Sequence, residues 1–133
     1  MTETDILRFA EQNFHTIKEN ETVANAILLM SKVDQSELIV VNQRGEFLGK
    51  INSLSLFNKQ GPLSSADVID KDCVFIKHDA SVQSAMEIAS DFVGEIIPIV
   101  QTDQNKAVAI ITEGAIFQAY LSKQSQTVEM EKR

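Results

Sequence analysis

The chain is poor in residues that staple or stiffen a fold. Its 133 residues include one cysteine (Cys73), two prolines, five glycines, one tyrosine and no tryptophan. A single cysteine excludes an intrachain disulfide and suits a reducing compartment. Basic residues are the minority, 12 Lys and Arg against 19 Asp and Glu, for a net charge of −7. They stand singly and form no patch, so neither nucleic acid nor an anionic membrane surface is an expected direct partner. The longest apolar runs, AILLM, LIVV and AVAII, fall far short of the roughly 20 residues that span a bilayer. The N-terminus, MTETDILRF, has early acids and lacks the apolar core of a signal peptide. A cytoplasmic module without direct membrane insertion is therefore expected. No Gly-rich phosphate loop, G-x-S-x-G or C-x-x-C occurs, so catalysis is not expected. What is present, 44% hydrophobic and 23% charged residues, is the composition of a globular chain.

The chain repeats itself. An offset of 59 sets Ile17 on Ile76, Lys18 on Lys77, Val23 on Val82, Ala26 on Ala85, Ser31 on Ser90 and Val41 on Val100. One inserted residue makes the offset 60, which sets Leu48 on Val108, Ile51 on Ile111, Leu56 on Ile116 and Phe57 on Phe117. The matches are mainly apolar, so the halves share one burial pattern.

Each half reads β-α-β-β-α. A short extended piece (His15 to Ile17; Val74 to Ile76) precedes a helix capped by Thr22 or Ser81. Val23, Ala26, Ile27, Met30 and Val33 recur at helical spacing, as do Val82, Ala85, Met86, Ala89 and Phe92. Buried strands follow at Leu38 to Val41 and Ile96 to Val100, then polar turns, then strands at Phe47 to Ile51 and Ala107 to Ile111. Short helices around Ser53 to Asn58 and Glu113 to Leu121 close the halves. The expected fold class is α+β. Residues 1–13 form a helical docking segment, 14–58 the first repeat, 59–67 a linker, 68–121 the second repeat and 122–133 a polar, frayed tail. Ser64 or Ser65 is placed to cap a turn of helix running to Asp70. Each half is too small to cover its own sheet, so the halves are expected to pack through their sheets with pseudo-two-fold symmetry. Ile27, Met30, Met86 and Ile88 then read either as outward residues that meet a second copy or as ordinary core, and a homodimer is expected.

Chemistry-bearing residues are sparse. His15 and His78 precede the first helix of each half, but no other donors converge on them in sequence, and a metal site is not expected. His78 beside Asp79 reads as a solvated turn. Cys73 reads as a small, semi-buried residue, since a catalytic thiol needs a nearby base.

The duplicated order, the strand EIIPIV with Pro98, and the turn RGEFLG together resemble the CBS-domain family, which occurs as tandem pairs. The resemblance covers about Phe14 to Leu121. It implies a non-catalytic regulatory module whose outward helices form a dimer. The run ASVQSAMEIASDFVGEIIPIV, with the ending AIFQAYL, is similar to the cytosolic C-terminal module of bacterial ClC-type chloride channels and transporters. That implies control of the transmembrane part of a parent transporter, at the cytosolic face of the inner membrane. Many CBS pairs bind adenosine compounds at a Gly-h-h-Thr-x-x-Asp strand end, whose Asp holds the ribose. Here GKINSLS puts Asn52 and Ser55 at the Thr and Asp positions, and AIITEGA keeps Thr112 but puts Ala115 at the Asp position. The resemblance therefore implies a vestigial adenosine cleft at Phe75, Ile76, Pro98, Thr112 and Ala115, with weak adenine-nucleotide binding at most. The alternative for Thr112 is a hydroxyl that caps the following helix.

Overall fold

The computed structural model describes the backbone of residues 6–131 and the side chains of residues 6–125. It contains six strands, β1 (Thr16–Lys18), β2 (Glu37–Val41), β3 (Phe47–Asn52), β4 (Ile76–Lys77), β5 (Ile97–Gln101) and β6 (Lys106–Ile111), and three α-helices, α1 (Val23–Val33), α2 (Val82–Ser90) and α3 (Glu113–Glu131). The strands form two three-stranded sheets, β1-β2-β3 and β4-β5-β6. The fold is α+β with the β-α-β-β order duplicated.

The chain forms two compact units that exchange segments. One comprises residues 14–73 and 103–107; the other comprises 1–13, 74–102 and 108–133. In the first unit, β1 runs parallel to β2, and β2 pairs antiparallel with β3 in the register Leu38↔Ile51 and Val40↔Gly49. A bulge between Val40 and Val41 shifts the ladder before the turn. That turn is built around Asn42, whose side-chain oxygen accepts from the N–H groups of Arg44 and Glu46 at 2.9 Å each. Gly45 supplies the positive φ of 81° that the turn requires. Phe47 N–H donates to the Asn105 carbonyl at 2.8 Å, which ties the 103–107 turn to this unit.

Helix α1 begins where Thr22 accepts from Asn25 N–H and ends at Asp34 in the left-handed conformation, with φ 57°. It lays Val23, Ala26 and Met30 over Leu38, Val40 and Ile51, with Leu56, Leu63 and Val68 completing the core. Met30 is thus a core residue and not an outward one, because it shares the stripe of Val23 and Ala26. Ile27, one step round the helix, is exposed.

In the second unit β4 runs parallel to β5 with Ile76 opposite Ile99. Ser81 caps α2 by accepting from Ser84 N–H. The core joins Ile76, Val82, Ala85, Ala89, Ile97, Ile99, Ala109, Ile111, Ile116 and Ala119 to Ile6 of the N-terminal segment. Met86 and Ile88, read as either outward or core, are half-buried against this core.

Four local expectations are revised. The helical segment expected over residues 1–13 is, among the described residues, a 3-10 turn at Ile6–Phe9; residues 1–5 lie outside the described residues. The helix closing the first repeat is likewise a 3-10 turn, Ser53–Leu56, capped by Asn52. The linker forms turns at Leu63 to Asp67 and no helix. The expected fraying after Leu121 is replaced by continuation of α3 through Glu131.

Candidate functional site

Phe75 directly precedes β4, which runs parallel to β5; Pro98 lies within β5, and Thr112 joins β6 to the first turn of α3. The five residues inferred for an adenosine cleft are not equally placed to serve one. Ile76 is fully buried in the helix-side core, so its side chain offers no surface to a ligand. Pro98 is buried within β5, Phe75 is 38% exposed just before β4, and Ala115 is half-buried. Thr112 is exposed, and its hydroxyl oxygen accepts from Ala115 N–H at 3.2 Å. Its role in this structure is that of an N-cap on α3.

The equivalent end of the first unit carries different chemistry. Asn52 caps the 3-10 turn, accepting from the Ser55 N–H at 2.9 Å and from the Ser55 hydroxyl at 3.1 Å. Ser55, at the family's carboxylate position, is thereby turned onto its own cap. Beside them Lys50 Nζ lies 3.0 Å from Glu37 Oε1, and both side chains are about nine-tenths buried, at 9% and 10% exposure. Sequence reasoning did not find this pair. Its signal was present, a lone Glu and a lone Lys at strand positions whose repeat equivalents are Ile96 and Ile110.

Cys73 is half-buried close to this pair. Burial raises its thiol to about 11; Lys50 pulls it down, while Asp70 and Glu37 push it up. Such a thiol is neutral at physiological pH and is a poor nucleophile. His78 is half-buried, and its Nδ1 is enclosed without a hydrogen-bond partner, which revises the expectation of a solvated turn. In the surface turn, the Glu46 carboxyl is held below its usual range by hydrogen bonds from Asn42 and Arg44 and by the Arg44 charge. Among the described residues no cluster of His, Cys, Asp and Glu is arranged to hold a metal. No helix among them is long and apolar enough to cross a membrane.

A groove of about 490 Å³ lies elsewhere, in the first unit, lined by Thr16, Ile17, Lys18, Glu21, Asn25 and Leu29. None of the five inferred residues lines it. Thr16 and Lys18 are exposed on the outer strand, and a lysine there also guards an open sheet edge against unwanted pairing.

These features define a duplicated small-sheet module. The CBS domain model matches residues 4–59 and 66–122. The chain belongs to the CBS-domain family and is a tandem CBS pair, a class of regulatory, non-catalytic modules. A search of curated proteins found no match. Among solved structures, the CBS pair of the proposed Mg²⁺ transporter SO5017 from Shewanella oneidensis MR-1 is similar at TM-score 0.80 and 17% identity, covering 93% of this chain and 74% of that one. The CBS-pair protein CBSX2 from Arabidopsis thaliana is similar at TM-score 0.75 and 17% identity, covering 93% and 99% of the two chains. The CBS pair of protein MJ0100, solved with 5′-methylthioadenosine and S-adenosylmethionine, is similar at TM-score 0.73 and 19% identity, covering 90% and 98%. At these identities the likeness is one of fold.

Proposed function

We propose that this chain is a dimerising regulatory module whose adenosine cleft is vestigial. The observation that carries the dimer is a repeated one. Phe57 and its repeat equivalent Phe117 are both exposed, at 75% and 49%, beside exposed Ile27 and Leu28 in one unit and Leu121 in the other. Large apolar groups displayed twice in equivalent places mark a surface that a partner covers. Sedimentation at micromolar concentration tests this, and a clean 14.8 kDa species would defeat it. Phe57→Asp and Phe117→Asp should dissociate the dimer and leave the fold intact.

Weak nucleotide binding is supported by Ser55 and Ala115 at the ribose positions and by the engaged Thr112 hydroxyl. A hydrogen bond to a carboxylate contributes about 1.5–3 kcal/mol, roughly 10- to 100-fold in affinity. ATP should therefore show no saturable heat below high-micromolar concentration. Ala115→Asp should strengthen binding if the cleft admits ribose.

The regulated partner we favour is a linked membrane channel or transporter, with the module at the cytosolic face. The chloride type rests on the sequence run from Ala80 to Val100 and the ending from Ala115 to Leu121. In-frame transmembrane segments in the parent gene test this; their absence would defeat it. A second reading, a standalone cytoplasmic adenosine sensor, is favoured by the near-complete overlap with CBSX2, which has been solved with AMP. AMP, 5′-methylthioadenosine or S-adenosylmethionine at 100-fold its dissociation constant should then add about 2.7 kcal/mol of stability.

A further inference from the structure

The groove beside β1 holds both signs of charge without pairing them. β1 is the outer strand of the sheet β1-β2-β3. Its turn toward α1 is tight, with Glu21 N–H donating to the Lys18 carbonyl at 3.0 Å. The turn brings Lys18 and Glu21 to one groove of about 490 Å³, which Thr16, Ile17, Asn25 and Leu29 complete. All six residues belong to one unit. Lys18 and Glu21 are exposed and form no ion pair with each other, and Lys18 has no ion pair among the described residues. Glu21 is held by another neighbour: its Oε1 accepts from Asn25 Nδ2 at 2.8 Å. Thr22 fixes Asn25 in turn by accepting its backbone N–H at 3.1 Å. Glu21 Oε2 and Asn25 Oδ1 remain free to accept.

The second repeat sets this arrangement apart. Ile76, Lys77 and Ile88 there repeat Ile17, Lys18 and Leu29, but Ala80 and Ser84 stand for Glu21 and Asn25. The cation and the apolar positions are the shared frame. The carboxylate and its amide partner belong to the first repeat alone.

We propose that this groove binds a small zwitterion, an α-amino acid with an apolar side chain. Its carboxylate meets Lys18, its ammonium meets Glu21 and the Asn25 Oδ1, and its side chain lies against half-buried Leu29. Charge selects the class. A simple anion answers Lys18 but faces Glu21 and a chain of net charge −7. A simple cation answers Glu21 but meets Lys18. A molecule that carries both signs and no net charge satisfies both ends at once. The groove is also of the size of small-molecule sites, about 300–1,000 Å³. The site needs neither the adenosine cleft nor a second copy of the chain.

Titration of the isotope-labelled protein with L-leucine, followed by amide NMR, tests the proposal. Signals of Lys18, Glu21, Asn25 and Leu29 should shift saturably, with the weak dissociation constant of an exposed site, about 1 mM. Isocaproate lacks the ammonium and isoamylamine lacks the carboxylate. Each should bind about 5- to 30-fold more weakly, the loss of charge-assisted contacts in an exposed groove. Lys18→Met and Glu21→Gln should weaken L-leucine by a similar factor, with signals outside the groove unmoved because both side chains are exposed. No saturable shift at these four residues overturns the proposal. So does equal binding of either single-charge analogue, or undiminished binding in Lys18→Met. Shifts confined to Phe75, Thr112 and Ala115 would put leucine in the other unit and overturn it too. AMP titrated into the same sample reports separately on the adenosine reading.

Discussion

Lys50 reaches across from β3 to Glu37 on β2 at 3.0 Å, diagonal to the Glu37↔Asn52 and Ile39↔Lys50 pairs of the ladder. The second repeat places Ile96 and Ile110 at the equivalent positions, both buried. One sheet therefore solves with an ion pair what the other solves with two isoleucines. A buried pair returns little net stability, but either charge left alone is costly. Glu37→Ala or Lys50→Ala should lose about 3–5 kcal/mol, whereas Glu37→Ile with Lys50→Ile should be neutral or stabilising by about 1–4 kcal/mol. Urea unfolding of the three proteins decides this; a strongly destabilised double variant would count against it.

Gly49 sits where the backbone of residue 70 crosses β3. A Cβ built there would lie 2.3 Å from the Asp70 carbonyl oxygen. Gly49→Ala should cost about 1–3 kcal/mol by forcing the two segments apart. Loss of amide protection at Lys50 and Asp70, which exchange backbone hydrogen bonds at 3.2 and 2.8 Å, would locate the damage.

The first α-helix of each repeat starts at a hydroxyl. Thr22 and Ser81 accept from the N–H groups three residues on, at 3.1 and 3.0 Å. Thr22→Ala and Ser81→Ala should each lower stability by about 0.5–2 kcal/mol. The two losses should add, since the caps belong to separate units.

Cys73 makes stability fall at alkaline pH. Its folded thiol is raised to about 11 by burial, so above its ordinary value the unfolded chain loses the proton first. Fewer protons bound to the unfolded state means stability declines as pH rises through that window and levels off above about 11. Cys73→Ser should flatten the decline between pH 9 and 11. Alkylation of the native thiol should stay slow at pH 8 compared with the urea-unfolded chain.

The duplication, the two N-caps and the placing of β2 and β5 were legible because burial of a helix stripe or a central strand is written in local apolar spacing. The length of α3 was also open to reading, since no Gly or Pro follows Leu121 to stop it. Helix-side core residues such as Ala26, Ala85, Leu38 and Ile97 followed from the same periodicity. The weak points were Met30, which spacing left open between core and outer face, and the first repeat's closing helix, too short to hold more than a 3-10 turn.

Tertiary structure alone decided which segments complete which sheet. Glu11 exchanges hydrogen bonds with Ile110 at 2.8 and 3.0 Å, as Asp70 does with Lys50. Glu11 and Asp70 are themselves 59 residues apart, in step with the repeat. Glu11, ahead of the first repeat, thus edges the second sheet, and Asp70, at the start of the second repeat, edges the first. Single exposed residues contributing only backbone groups leave no periodic trace, so sequence spacing cannot show the exchange. The Glu37–Lys50 pair was hidden for a related reason. A charge reads as surface until another chain segment removes the water around it and a partner stands within hydrogen-bond reach.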